Sequence, residues 1–196
     1  MNIDCALHWD THIDKLCRKL ASGLYALRIM SRLCDLNTLK TIYFAFMHSH
    51  ISYGLIVYGC TSQVNLNRIL SFQKKALRII LGLGWIDSVK QHFSELGVFT
   101  VFSLFIFELI LLIKRNLETL PKLGDSHNYN TRGRGEIAYS HHKLKYFEKK
   151  PSYLGIKFYR HLPSEIREIS NFKDFKKHVK TLLLNKPLYS LEEFFE

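Results

Sequence analysis

With 196 residues, 47% of them apolar, the chain is long enough to bury a core and too apolar to be disordered throughout. Its formal charge of +11 points to nucleic acid, an anionic membrane surface or an acidic protein as partner. The four cysteines, Cys5, Cys17, Cys34 and Cys60, form no C-x-x-C pair, and Met1 to Trp9 lacks the basic and apolar regions of a secretory signal, so the chain reads as intracellular with reduced thiols rather than as an exported disulfide scaffold.

The first expected helix opens at Thr11, which with Asp14 resembles a capping box, and carries Ile13, Leu16, Leu20, Leu24 and Leu27 at spacings of three and four. Lys15, Arg18, Lys19 and Arg28 lie away from that stripe. A break follows at Cys34 to Asn37, where Asp35 or Asn37 is placed to cap a second helix from Leu39 to about Ser49. Gly54 and Gly59 then interrupt an apolar run, leaving Ile51 to Gly59 as either another helix bent at Gly54 or a short extended segment.

From Leu66 to Leu81 the period is that of an amphipathic helix. Ile69, Leu70, Gln73, Ala76, Leu77 and Ile80 fall on one side, and Arg68, Ser71, Lys74, Lys75 and Arg78 on the other. The apolar side is expected to cover Ile51 to Gly59. Gly82 and Gly84 stop this helix, and Ser88 with Gln91 suggests a cap for a short helix ending near Gly97.

Val98 to Ile113 is almost wholly apolar, yet it is 16 residues long and contains Thr100, Ser103 and Glu108. A membrane span needs about 20 apolar residues, and a carboxylate near its centre costs on the order of 2.5 kcal/mol or more. A buried core helix capped by Thr100 is the expectation. Pro121 and Gly124 close this unit.

From Asp125 to Pro151 the chain turns basic and loop-like. Residues 132–160 carry Arg132, Arg134, Lys143, Lys145, Lys149, Lys150, Lys157 and Arg160 against Glu136 and Glu148, more than half of the net charge, and Tyr129, Tyr139, Tyr146 and Phe147 are interleaved with them. Tyr153 to Tyr159 reads as a short strand or the start of a helix, Leu162 and Pro163 as a turn. A last helix from about Phe172 to Leu184, capped by Asn171, bears the stripe Phe172, Phe175, Val179, Leu182 and Leu183, and Ser190 with Glu193 makes one more cap in the tail.

Catalytic patterns are weak. Cys5, His8 and His12 give C-x2-H-x3-H, and His48 and His50 are two apart, but neither set brings a fourth ligand for structural zinc. There is no G-x-S-x-G elbow, and Arg132-Gly133-Arg134-Gly135 lacks the order of a phosphate loop, although its arginines could hold phosphates. The aspartates are isolated, whereas two-metal phosphoryl transfer needs them clustered. What remains is a binding signal: a basic helix face able to follow a phosphate backbone, and aromatics among lysines able to stack on bases. A solvated face and core tyrosines would produce the same composition.

A series of short motifs adds to this. Leu7, Trp9, His12 and Ile13 form an L-x-W-x-x-H-I element; His48 to Gly54 reads HSHISYG and is followed by Tyr58-Gly59; then come Gln73-Lys74-Lys75-Ala76-Leu77-Arg78, Tyr129-Asn130-Thr131-Arg132, Gly155 to Tyr159 before Leu162-Pro163, and Tyr189-Ser190-Leu191-Glu192-Glu193-Phe194. In order and spacing this resembles the C-terminal third of the reverse transcriptases of non-LTR retrotransposons, the jockey-like group. Tyr58 stands where the family usually has Trp, and Arg160 where it has Asn.

The resemblance implies a mainly α chain: a polymerase-thumb-like helical bundle, then a basic loop-rich segment and C-terminal helices. The expected division is 1–84 as the thumb-like bundle, 85–124 as a helical extension, 125–160 as a basic aromatic-containing arm and 161–196 as a C-terminal helical segment. It further implies a non-catalytic piece of an RNA-directed DNA polymerase, since the F/Y-x-D-D palm motif would precede Met1; magnesium would belong to that palm, and no cofactor is expected here. The expected partner is RNA or an RNA–DNA duplex, with no membrane and no small-molecule substrate. Arg68, Lys74, Lys75, Arg78, Arg132, Arg134, Lys149 and Lys150 are the candidate phosphate contacts. The rival reading is a structural or protein-interaction helical module, or a decayed reading frame.

Overall fold

The computed structural model describes residues 8–125, 135–139 and 142–196. The described residues are mainly helical, and the β-pairing among them is an isolated antiparallel bridge between Lys122 and Ile137. The chain divides into two compact units, Met1–Phe105 with Thr181–Glu196, and Ile106–Lys180.

In the first unit, α1 (Asp10–Met30) buries Ile13, Leu16, Leu20, Leu24 and Leu27, the stripe read from spacing. Its start differs from the expected one. Thr11 lies inside the first turn, and the cap position belongs to Trp9, whose left-handed backbone (φ 67°) turns the chain into the helix without a side-chain cap. Such a φ costs a non-glycine residue about 1–2 kcal/mol; burial of the Trp9 indole, which meets the His12 ring edge-on at 6.2 Å, offsets it.

Asp35 caps α2 (Leu36–Tyr43) by accepting from the Asn37 and Thr38 amides. The second expected helix then passes through a π turn over Phe44–His48 and ends in the short α3 (Ser49–Ser52). Of the two alternatives for Ile51 to Gly59, the chain takes the helical one, broken rather than bent. Gly54 adopts φ 74° and starts the one-turn α4 (Leu55–Tyr58). The buried Tyr58 hydroxyl donates back to the Ile51 carbonyl and closes this corner. Gly59 is required by close approach: a Cβ there would lie 2.3 Å from the Phe105 ring.

α5 (Gln63–Leu81) is capped by Ser62 at one end and stopped by Gly82 in the left-handed region (φ 64°) at the other. Its buried face holds all six residues expected from the period, with Asn65 and Leu66 besides. The partner differs from the expected one, since α5 packs chiefly on α1 and α2 rather than on Ile51 to Gly59. The short α6 (Lys90–Glu95) begins one residue later than Ser88 suggests; Val89 takes the cap position and no side chain caps it.

α7 (Val101–Arg115) is capped by the Thr100 hydroxyl, which accepts from the Ser103 amide at 3.1 Å. Within the first unit, Thr100 also donates to the Leu188 carbonyl at 2.7 Å while Leu188 N–H donates to the Ser103 hydroxyl at 3.2 Å, so the tail is stitched to the start of α7. Among the described residues no helix is long and apolar enough to cross a membrane.

The second unit contains the remainder of α7, the Lys122–Ile137 bridge, α8 (Pro151–His161), α9 (Ser164–Arg167) and the first part of α10 (Phe172–Asn185). Tyr153 to Tyr159 is helical: Pro151 supplies a pre-set first position, and the absence of a Cβ at Gly155 lets α8 approach Ile113 of α7 to a distance where a methyl would sit 2.8 Å from Cγ1. Asn171 caps α10 through the Lys173 amide at 2.9 Å, and Phe158, Phe175 and Val179 are fully buried.

Candidate nucleic-acid interface

Because one face of α5 is used up by α1 and α2, its other face is set facing outward. Lys74, Lys75 and Arg78 line a groove of about 890 Å³ together with Arg28 in the last turn of α1, Ser31 and Arg32 just after it, Ser71, and, across the Gly82 stop, Trp85. Five cations and no carboxylate line it. The volume lies in the range of ordinary ligand sites.

Mutual repulsion makes such a groove costly when empty and receptive to anions. At Lys74, burial first and then the nearby Arg78 and Lys90 charges push the ammonium pKa below the usual lysine value. Lys74 Nζ rests 3.9 Å above the Tyr189 ring, which holds it without neutralising it. Arg78 donates to the Asp87 carbonyl at 3.0 Å, a contact that fixes the guanidinium and leaves its charge in place. Lys75 is exposed, with its ammonium 5.5 Å from the Phe72 ring.

The remaining expected contacts lie elsewhere. Arg68 is on α5 but outside the groove lining, bonded at 2.5 Å to Asp14 and at 3.3 Å to Asn65, so its charge is already matched. Burial and Asp14 are opposed there, and the Asp14 hydrogen bond dominates, raising the Arg68 pKa. Lys149 and Lys150 belong to the second unit, at the end of a 3-10 turn and just after it, where their ammoniums lie over the Tyr146 ring (6.0 Å) and the Phe147 ring (4.1 Å). Arg132 and Arg134, with the Tyr129 to Arg132 motif, lie outside the described residues.

Arg28 and Arg32 are the groove residues that charge patterning on α5 alone does not reveal. A signal exists nonetheless: Arg28 stands in the last turn of α1, away from its apolar stripe, and Arg32 follows in the turn just after the helix ends at Met30. In the second unit a further basic row stands out on α10, where Lys173, Lys176, Lys177 and Lys180 are all exposed at helical spacing. A cavity of about 330 Å³ in the same unit is mixed in sign, with Glu118, Glu136 and Glu168 beside Lys122, Arg160 and Arg167. Arg160 is paired there with Glu136, which makes this cavity a poor anion site.

For metal chemistry, Cys5 of the C-x2-H-x3-H set lies outside the described residues. His12 is buried, its ring 4.8 Å from that of Tyr58, and its pKa is lowered mainly by burial. Among the described residues no group of three or more His, Cys, Asp or Glu side chains is placed to hold a metal ion. Cys17, Cys34 and Cys60 are free thiols, and burial pushes the Cys60 thiol up to about 12. No protein-family model, curated protein or solved structure matches the chain.

Proposed function

We propose that this chain binds nucleic acid as a thumb-type, non-catalytic region of a non-LTR retrotransposon reverse transcriptase, holding an RNA or RNA–DNA strand for chemistry carried elsewhere. One observation supports the reading above the others: Lys74, Lys75 and Arg78, which belong to the motif carrying the resemblance, share a groove with Arg28 and Arg32 that no carboxylate lines. A phosphate backbone is the polyanion suited to such a row. The F/Y-x-D-D motif does not occur in the sequence, so the reading assigns the chain a holding role.

The test is binding of the full chain to an RNA–DNA duplex at a series of salt concentrations. Phosphate contacts release counterions, so log K should fall linearly with log salt, by about 0.9 per phosphate neutralised on a duplex. A flat dependence overturns the reading, as does metal-dependent polymerisation by the isolated chain. A protein-interaction role has its own observation: Tyr25, Ile29 and Leu33 recur every four residues and are 66%, 47% and 78% exposed. Salt-insensitive or absent nucleic-acid binding would favour it.

A further inference from the structure

The loop after α5 exposes a tryptophan at the edge of the basic groove. Gly82 terminates the helix with a left-handed turn, after which Gly84 N–H donates to the Asp87 carboxylate at 2.6 Å and Asp87 N–H donates to the Gly84 carbonyl at 3.3 Å. The Asp87 carbonyl in turn accepts from Arg78, so the loop is closed on itself and tied to the groove wall. At its tip Trp85 is 84% exposed, whereas the chain's other tryptophan, Trp9, is 5% exposed. These bonds tie the turn that carries the exposed indole to the groove wall.

An exposed indole beside five cations has the two parts required for binding an unpaired strand: a flat π face for a base, and positive charge for the phosphates that follow it. A duplex offers the phosphates alone, because its bases are stacked on one another. Resting on the nucleic-acid reading above, we propose that Trp85 stacks on an unpaired base and that the groove therefore takes a single-stranded or frayed segment in preference to continuous duplex. Arg28, Arg32 and Lys75 would carry the phosphates.

The experiment uses the full chain, a 20-nucleotide oligo(dT) and RNA strand, and a blunt 20-base-pair RNA–DNA duplex, each followed by fluorescence anisotropy at one salt concentration. Trp85→Ala should weaken strand binding roughly 5- to 100-fold, the range of one lost base stack, and change duplex binding less than about twofold. Trp85→Phe should recover most of the loss, since it keeps a ring. Strand binding should quench the exposed indole emission, and that quenching should disappear in the variant. An unchanged strand affinity in Trp85→Ala, or an equal loss on strand and duplex, overturns the stacking proposal and leaves the proposed function standing. Failure of every nucleic acid to bind overturns the function beneath it. Because Trp85 is exposed, the variant's helical circular dichroism should match the parent's, and a loss of that signal would itself contradict the loop geometry on which the proposal stands.

Discussion

The side chain of Gln73 donates at 2.9 Å to the Tyr43 hydroxyl and at 2.9 Å to the Phe99 carbonyl, while its oxygen accepts the Val101 N–H at 2.8 Å. A single fully buried carboxamide thus joins α2, α5 and the first turn of α7. It also sets the rotation of α5 about its axis. With Gln73 pinned inward, the next two residues, Lys74 and Lys75, fall on the groove side one helical step away, and Arg78 follows a turn later.

Gln73→Leu should therefore cost more than its volume suggests, because it removes three buried hydrogen bonds at once. The expected loss is roughly 3 kcal/mol, at about 1 kcal/mol or more for each buried hydrogen bond removed. Tyr43→Phe, which leaves Gln73 two of its three bonds, should cost about 1 kcal/mol. Urea unfolding at neutral pH measures both, and equal losses for the two variants would show that the network is not centred on Gln73.

Gly59→Ala tests close packing. Its Cβ would meet the Phe105 ring at 2.3 Å and the Leu55 carbonyl at 2.6 Å, so the expected destabilisation is about 1–3 kcal/mol. Gly82→Ala differs in cause: nothing lies within 4 Å, but φ is +64°, which costs an L-residue about 1–2 kcal/mol. Trimming the ring in Phe105→Leu should restore part of the Gly59→Ala loss and none of the Gly82→Ala loss, as read from double-mutant unfolding curves.

These sites show which parts of the fold the sequence revealed. The inward faces of α1, α5 and α10 follow from spacing, since burying a stripe is a local consequence of helix geometry. The partner of a stripe is a long-range matter, and there α1 and α2, not the neighbouring Ile51 to Gly59, won the apolar face of α5. Caps divided on the same ground. Asp35, Thr100 and Asn171 act through atoms two or three residues away, whereas Thr11 was displaced by Trp9, whose buried ring favours a turn that no local rule anticipates. The groove was half legible, since α5 shows its own lysines but not the arginines that the crossing of α1 brings beside them.

Alkaline pH should destabilise the chain, beginning with Cys60. Burial raises this thiol to about 12, against an ordinary value of 9.0. Between those values the folded state keeps a proton that the unfolded state has lost, so stability is fully present below pH 9 and falls as pH rises, with a limiting slope of about 1.4 kcal/mol per pH unit. Tyr189, raised by burial to about 12 from 10.0, adds a loss of the same sign that starts later. Urea midpoints at pH 8, 9 and 10 should decline in the parent and decline less in Cys60→Ala.

The pair of Arg68 and Lys75 separates matched from unmatched charge on one helix. Arg68 lies 2.5 Å from Asp14, and both side chains are about half exposed, so the pair itself contributes only about 0.2–1 kcal/mol to stability. For an anion in the groove, however, the carboxylate largely cancels the guanidinium, while Lys75 faces the groove with no carboxylate beside it. Lys75→Ala should lower nucleic-acid affinity and reduce the magnitude of the log–log salt slope by about 1. Arg68→Ala should leave the slope within about 0.3 of the parent, since it removes a charge already compensated. Asp14→Asn completes the comparison: by unmasking Arg68 it should steepen the slope and tighten binding at low salt, although it breaks an ion pair. If Arg68→Ala flattened the slope as much as Lys75→Ala, the binding surface would have to extend along α5 past the groove, to the side where Asp14 stands.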